Sequence, residues 1–219
     1  MRQSAIDLSS ECSIAERACI TDAIKSLSSG GNFLEVGTAA GGTLKEIIQT
    51  ADNEKLDAIF YVLDPFTYYP DQLQKVNKNL SNSDIDPSRV QFWQGTTDNY
   101  LPIALEKGLK FKFIFIDGDH KAYPVMNDIR WMELLEVGGV ACFHDYCDKF
   151  PGVAWSLEHF LSKNEQFSKI SEAETLRVIR RNGENIVAVN KLDLLRSKFM
   201  QVFLRLRRSM KKRLAKKNL

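Results

Sequence analysis

The stretch FKFIFIDGDHKAYPVMNDIRWMELLEVGGVACFHDY, residues 111–146, decides the fold of this chain. One apolar run, 111–116, stops at Asp-Gly-Asp-His, and a second, 140–143, stops at His-Asp-Tyr. The segment between them has the spacing of a helix, with apolar side chains at Val125, Ile129, Met132 and Leu135. The pattern predicts two parallel strands joined by a helix, and ligands bind where such strands end.

The two strand ends collect five titratable side chains, among them two of the chain's three histidines: Asp117, Asp119, His120, His144 and Asp145. Titratable groups gathered at a sheet edge indicate a reaction centre. In one reading, Asp119, His120 and His144 are catalytic: Asp119 or His120 removes a proton, while Asp117 and Asp145 position the acceptor oxygen. In another, Asp117, His144 and Asp145 bind a divalent metal, Mg²⁺ or Mn²⁺. A third reading, in which these residues only cap loops and pair charges, stays open.

Strand and helix patterns alternate along the rest of the chain. Strands are predicted at 32–36, 58–63 and 90–93, ahead of the two described above. Later, two further strands at 176–181 and 186–191 are separated by Asn-Gly-Glu-Asn, which predicts a hairpin. The predicted fold class is therefore α/β, a doubly wound, mostly parallel seven-stranded sheet that ends in an antiparallel hairpin.

The loop after the first predicted strand reads EVGTAAGG, residues 35–42, and opens a helix. Glycines let a backbone approach a ligand, and a helix N-terminus offers free N–H groups. The GxxxGG spacing differs from the GxGxxG of dinucleotide enzymes and favours a ligand without pyrophosphate. Asp64 ends the second strand, where a carboxylate can bind a ribose, and Thr96 follows the third, where it can contact a base. Each of the two can instead cap a turn or helix.

These residues together resemble the class I S-adenosylmethionine-dependent methyltransferases, and most of all the small-molecule and sugar O-methyltransferases. The resemblance spans roughly residues 32–191, including the terminal hairpin of this Rossmann-like fold. It rests on a series of family residues. They are IDGDH at 116–120, Tyr123, Asp128, Trp131, the Leu pair at 134–135, the Gly pair at 138–139 and HDY at 144–146.

The resemblance implies S-adenosylmethionine as the cofactor. Its methionine half would be held by Glu35, Gly37, Thr38 and Gly41 and its ribose by Asp64, while Thr96 and Asp117 complete the predicted cofactor site. Two residues depart from the family pattern. Ala39 stands where many relatives have glycine, and His144 stands where metal-dependent relatives often carry a carboxylate, which leaves the metal open.

The chemistry of methyl transfer is consistent with this cluster. A sulfonium methyl is already activated, so an enzyme must mainly position an acceptor oxygen and remove its proton. The first hypothesis is O-methylation of a hydroxyl on a sugar or another small metabolite. Two alternatives are a nicotinamide-dependent oxidoreductase and a non-catalytic surface-binding protein on a methyltransferase fold.

Charge is unevenly distributed along the chain. Residues 196–219 hold ten Lys and Arg and no acid, whereas residues 1–195 hold 20 basic and 28 acidic residues, a net charge of −8. Apolar residues recur at helical spacing from Phe199 onward, which predicts a basic amphipathic helix. Such a helix can lie on a membrane, on its own body or on a second copy in a homo-oligomer. Nucleic acid is disfavoured, because no second basic patch is evident.

The sequence suggests an N-terminal helical cap (1–30), a methyltransferase domain (31–195) and the basic tail (196–219). The N-terminus lacks a signal-peptide pattern, and no apolar run approaches the roughly 18 residues of a membrane span. The four cysteines match no zinc or disulfide pattern. We therefore expect a cytoplasmic protein, with the tail as the one segment that can make peripheral contact at the inner membrane surface.

Overall fold

The computed structural model describes residues 10–217, with side chains through residue 210. The strands are β1 (Gly31–Val36), β2 (Ala58–Asp64), β3 (Val90–Gln94), β4 (Phe111–Ile116), β5 (Leu135–Phe143), β6 (Phe167–Ala173) and β7 (Leu176–Arg181). The α-helices are α1 (Ile14–Lys25), α2 (Gly42–Asn53), α3 (Gln72–Ser81), α4 (Thr97–Glu106), α5 (Ala122–Asp128), α6 (Pro151–Leu161) and α7 (Lys191–Lys217).

The seven strands form one sheet in the order β3-β2-β1-β4-β5-β7-β6. Strands β1 to β5 run parallel, whereas β7 is antiparallel to both β5 and β6. The chain order reverses between β1 and β4, so the crevice beyond their carboxyl ends is the expected ligand site. The predicted fold class is confirmed.

Each face of the sheet is covered by helices. Alternate side chains of β4 show this: Phe113 and Phe115 pack with residues of α1, α2 and α3, whereas Ile114 and Ile116 pack with residues of α4, α5 and α6. All four side chains are buried. A parallel sheet covered on both faces has nearly continuous apolar strands, and for that reason the run 111–116 was recognisable in the sequence.

The terminal hairpin is present, but one of its two predicted strands was wrong. β7 pairs with β6 through a turn at residues 174–175, and residues 186–190 form no strand. Because β7 already has β5 on one edge and β6 on the other, no edge is left for that segment. Instead, the Asn164 side chain holds it, accepting from the Val187 amide at 2.8 Å and donating to the Val187 carbonyl at 3.2 Å.

Two helix predictions differ in their outcome. Ser13 caps α1 as expected: its hydroxyl accepts from the Glu16 amide, and the Glu16 carboxylate accepts from the Ser13 amide at 2.8 Å.

The helix predicted between β4 and β5 is shorter than its apolar spacing indicated. α5 ends at Asp128, a 3₁₀ turn covers Ile129–Leu134, and Leu135 already begins β5.

The basic tail belongs to one long helix, α7, which begins before the predicted boundary at residue 195. Its first turns pack on α5 and α6, and Asp193 anchors them through ion pairs with His159 at 2.8 Å and with Lys163. No helix in the described range is long and apolar enough to cross a bilayer. The division into cap, domain and tail stays a prediction.

Candidate functional site

A cleft of about 1490 Å³ opens beyond the carboxyl ends of the parallel strands. One side of α7 contributes to its wall as well. Among the predicted site residues, those that line the cleft are Gly37, Thr38, Asp64, Thr96, Asp117, Asp119 and His120. The other predicted site residues do not line the cleft: they are Glu35, Gly41, His144 and Asp145. The edge of the sheet therefore holds a set of cleft-lining residues and a second set outside the lining.

Gly37 has a structural requirement that the sequence did not reveal. Its φ is 86°, and a Cβ on it would lie 2.4 Å from the Asp117 carbonyl oxygen. The loop after β1 is thus pressed against the end of β4. Any side chain at Gly37 would separate these two strand ends before it touched a ligand.

Two buried polar atoms beside this loop have no hydrogen-bond partner in the described part of the chain. They are Oε2 of Glu35 and Oγ1 of Thr38. Burial raises the pKa of Glu35 well above its usual value. Unpaired buried polar atoms are costly, and a site that keeps two of them beside a cleft is suited to a ligand that supplies the partners.

Asp64 is largely engaged by its own loop. Its carboxylate accepts from the Thr38 amide at 2.9 Å and from the Phe66 amide at 2.5 Å. The Gln72 side chain donates to it at 3.4 Å. A carboxylate has about four acceptor positions, so about one remains for a ribose hydroxyl. Asp64 therefore does cap the backbone of its own turn, which the sequence had left open as an alternative to ribose binding.

Asp128, at the end of α5, is a cleft residue to which the sequence predictions gave no role. Thr96 caps α4 together with Asn99, whereas the Thr97 hydroxyl donates to Asp128 at 2.5 Å and accepts from Trp131 at 2.9 Å. Burial raises the pKa of Asp128 to about 7. In the sequence, Asp128 appeared only as the Asp of the family pattern. Its burial and its contact with Thr97 arise from the fold and could not be predicted from neighbouring residues.

His120 and Asp145 form a pair at the cleft. The His120 Nε2 lies 2.8 Å from the Asp145 carboxylate, and the His120 side chain is 36% exposed. This hydrogen bond raises the pKa of His120. Burial alone would raise the pKa of Asp145, but the same hydrogen bond lowers it. An exposed imidazole oriented by a carboxylate is the arrangement of a general base.

His144 is bound on both sides by carboxylates. Its Nδ1 lies 2.9 Å from Asp117, and its Nε2 lies 3.3 Å from Glu16, which reaches in from α1. The His144 side chain is only 9% exposed. Burial lowers the pKa of His144, but the hydrogen bonds and charges of Asp117 and Cys12 outweigh that effect and raise it to about 12. These contacts favour the protonated form of His144, which ties α1 to the strand ends, while burial raises the pKa of its partner Asp117.

The donor atoms fit a divalent metal in a different combination from the predicted one. Ligand atoms of Asp117, His120 and Asp145 all lie within 4.8 Å of one another. Two carboxylates and an imidazole are a donor set that suits Mn²⁺ or a later metal. In the predicted combination, His144 would have to give up its contact with Asp117 or Glu16.

Asp119 points away from this pair. Its carboxylate accepts from the Lys121 amide at 2.8 Å and pairs with the Lys121 ammonium at 2.6 Å. Both side chains are exposed. The contacts are those of a loop cap with a surface ion pair, which the sequence could not distinguish from a base.

Comparison with known proteins places these features in a family. A family model for a methyltransferase domain matches residues 34–146. An uncharacterized protein, R132 of Acanthamoeba polyphaga mimivirus, is 31% identical over 121 residues, which are 53% of this chain and 52% of that protein. The chain thus spans about half the length of this curated relative.

Solved structures share the fold at low identity. The O-methyltransferase NovP has a TM-score of 0.64 and 18% identity, over 78% of this chain and 81% of that one. An O-methyltransferase from Bacillus cereus in complex with SAH has a TM-score of 0.59 and 15% identity, over 78% and 82%. Since the family model covers more than half of the residues, this chain belongs to the family of methyltransferase domains.

Proposed function

We propose that the protein is an S-adenosylmethionine-dependent O-methyltransferase that acts on a hydroxyl of a sugar or another small metabolite. The observation that carries the proposal is the arrangement of the cleft. Unpaired buried atoms of Glu35 and Thr38 lie beside one part of it, and the His120–Asp145 pair lies at another. A cofactor site and a base thus open into the same space.

The cofactor would bind on the loop after β1. Its methionine ammonium and carboxylate can supply partners for Glu35 Oε2 and Thr38 Oγ1, and its ribose can use the remaining acceptor position of Asp64. Gly37, Gly41, Thr96 and Asp117 complete the proposed set from the sequence. S-adenosylmethionine supplies an electrophilic methyl group when bound.

His120 would be the catalytic base. An alcohol is a poor nucleophile until its proton is removed, so Nδ1 of His120, the ring nitrogen that is not bonded to Asp145, takes that proton as the oxygen attacks the methyl group. The new O–CH₃ bond replaces the S–CH₃ bond. Asp145 stabilises the imidazolium that forms, and the proton then leaves to solvent through the exposed ring.

A divalent metal is the second candidate for activating the hydroxyl, favoured by the mutual approach of Asp117, His120 and Asp145. A metal there would act as a Lewis acid on the acceptor oxygen. It would also replace the His120–Asp145 hydrogen bond, so the base and metal versions exclude each other. Loss of activity in EDTA and its recovery with Mg²⁺ or Mn²⁺ would select the metal version.

The cofactor assignment is tested by Thr38→Val, which removes the unpaired hydroxyl and keeps the shape. We expect the free protein to be as stable as the wild type or more stable, because a stranded polar atom disappears. We expect affinity for S-adenosylhomocysteine to fall about tenfold, since one hydrogen bond to the ligand is lost. Calorimetric titration and urea unfolding of the same sample measure the two effects.

Thr50→Val is the matched control, because Thr50 is a buried threonine of α2 outside the cleft lining. Its affinity for S-adenosylhomocysteine should equal that of the wild type. Absence of binding by the wild-type protein would reject the cofactor, and equal affinity of Thr38→Val and wild type would reject this role of Thr38.

We also propose that α7 contacts an anionic membrane surface. With about 3.6 residues per turn, Ser197, Gln201 and Leu204 share the face that packs on the body. The opposite face carries large exposed apolar side chains: Leu192, Leu195, Phe199, Val202, Phe203, Leu206 and Met210. Phe199 is 68% exposed and Leu206 58%. A contiguous apolar stripe in this position requires a partner.

Charge favours lipid over a second copy of the helix as that partner. From residue 196 the sequence has ten basic residues and no acid, so two copies of α7 would repel each other. An anionic leaflet instead contributes about 1 kcal/mol for each basic residue near its surface. An apolar stripe with basic residues beside it is the composition of an interfacial helix.

Co-sedimentation with phosphatidylcholine vesicles, with and without phosphatidylglycerol, tests the contact. The full chain should bind only the anionic vesicles, and Phe199→Ser/Phe203→Ser/Leu206→Ser should stay in the supernatant. Ile103→Ser/Leu105→Ser is the control, since these exposed residues of α4 lie outside the cleft lining. Equal sedimentation of the stripe variant, or a dimer that this variant dissolves, would refute the membrane contact.

A further inference from the structure

The wall that α7 adds to the cleft is basic. The helix residues that line the cleft are Gln201, Leu204, Arg205, Arg207 and Arg208. The helix is fixed there by α5, because the Gln201 side chain accepts from the Tyr123 amide at 3.2 Å and Lys198 lies 4.6 Å from the centre of the Tyr123 ring. Three guanidinium groups are thereby presented to the same space as the catalytic residues.

These arginines differ from others on the body of the protein. Arg17, Arg89 and Arg130 each pair with a carboxylate at 3.1 Å or less. Within residues 10–210, whose side chains are described, no carboxylate or other hydrogen-bond partner lies within reach of Arg205, Arg207 or Arg208. Their charge is available to a ligand.

The cofactor does not explain this charge. S-adenosylmethionine carries a positive sulfonium and an ammonium, and it has no phosphate. Its single carboxylate is accounted for at the loop after β1. The arginines therefore face whatever else enters the cleft, which is the acceptor and its carrier.

We infer that Arg205, Arg207 and Arg208 bind a phosphate-bearing group of the methyl acceptor, an inference that rests on the proposed function. The guanidinium fork matches phosphate oxygens in a bidentate manner, and three forks suit a diphosphate better than a single carboxylate. The acceptor would thus be a hydroxyl compound attached to phosphate, either a soluble compound or one attached to a lipid.

Inorganic pyrophosphate is the probe for this site. Calorimetric titration is made into the full chain saturated with S-adenosylhomocysteine, at low salt. The wild type should bind, and Arg205→Gln/Arg207→Gln/Arg208→Gln should bind about tenfold more weakly or worse, since the charge-assisted hydrogen bonds to the phosphate oxygens are lost. The control variant Lys78→Gln/Lys107→Gln/Lys110→Gln removes the same charge from exposed sites outside the cleft lining and should bind within twofold of the wild type.

Binding of S-adenosylhomocysteine tests the proposed function, and binding of pyrophosphate tests the phosphate site. If S-adenosylhomocysteine does not bind the wild type, the proposed function fails. If it binds all three proteins equally but pyrophosphate binds the arginine variant as well as the wild type, or binds none of them, the phosphate site alone is overturned. In a second arm, wild-type-like binding of the arginine variant to anionic vesicles would indicate a soluble phosphate-bearing acceptor. Loss of pyrophosphate and vesicle binding by the arginine variant, with both kept by the lysine variant that has lost the same charge, would indicate phosphate carried by a lipid.

Discussion

His120 and His144 follow neighbouring strands and were both catalytic candidates in the sequence, yet the fold gives them opposite environments. His120 faces the cleft with one carboxylate partner and 36% of its side chain exposed. His144 lies behind the cleft between Asp117 and Glu16 with 9% exposed. The difference teaches that the number of carboxylates around an imidazole, and its access to solvent, decide whether it can exchange a proton.

With one carboxylate partner and access to solvent, His120 can take up and release a proton, as a general base requires. Glu16 and Asp117, with Asp145 at 3.8 Å, hold the proton on the His144 ring, because its loss would leave buried negative charge unbalanced. We therefore expect the first arrangement to serve chemistry and the second to serve stability. Four substitutions sharpen this comparison.

The largest effect is expected on turnover. His120→Gln should lower the rate of methyl transfer by about 10²–10⁴, which is the typical contribution of a general base. Affinity for S-adenosylhomocysteine should be unchanged, because the ring lies outside the loop after β1. Rates are measured with methyl-labelled S-adenosylmethionine and an acceptor fraction from cell extract. Turnover within threefold of the wild type would remove His120 from the mechanism.

The free energy of unfolding should fall more in His144→Gln than in His120→Gln. His144→Gln leaves Glu16 and Asp117 without their shared cation, and breaking a buried ion pair in this way costs about 3–5 kcal/mol. His120→Gln, at a partly exposed pair, should cost about 1 kcal/mol or less. Urea unfolding midpoints compare the two variants. Equal losses would mean that the two sites are not distinct.

The smallest effect is expected at Asp119. Asp119→Asn keeps an acceptor for the Lys121 amide and loses only a surface ion pair of about 0–1 kcal/mol. We therefore expect methyl transfer within about threefold of the wild type, measured in the same assay. A loss of a hundredfold would transfer the role of base from His120 to Asp119.

The pH dependence of the rate follows from the same pair. His120 must be neutral to accept a proton, and its hydrogen bond to Asp145 raises its pKa above 6.5. The rate should therefore be low below that pKa, rise with pH and level off above it. In Asp145→Asn the midpoint of this rise should move to lower pH, because the negative charge that favours the imidazolium is gone.

Much of the fold could be predicted from sequence because buried parallel strands are continuous apolar runs. The strand β4 and the capping box at Ser13 were recognisable from local pattern alone. β6 was not, since FSKISEA is polar at an edge of the sheet where only β7 pairs with it. The segment 186–191 looked more like a strand, but its place beside β7 was already taken.

The sequence predicted which residues of the candidate site lie close together, but it did not predict the role of each residue. Strand ends placed Asp117, His120 and His144 together, as expected for a sheet edge. Their partners come from distant parts of the chain: Glu16 arrives from α1, 128 residues away from His144. The arginines of α7 likewise reach the cleft only because the helix packs on α5. Such long-range contacts leave no local pattern in the sequence.

Nitrogen-15 NMR of the imidazole groups across about pH 5–8, the range in which histidine normally titrates, tests the contrast between the two histidines most directly. The chain has three histidines, and a His159→Gln sample removes the third signal, with EDTA present to exclude bound metal. We predict that His120 titrates with a midpoint above 6.5 and that His144 stays doubly protonated throughout. Titration of His144 in this range, with His120 unchanged, would contradict the assignment of one histidine to chemistry and the other to structure.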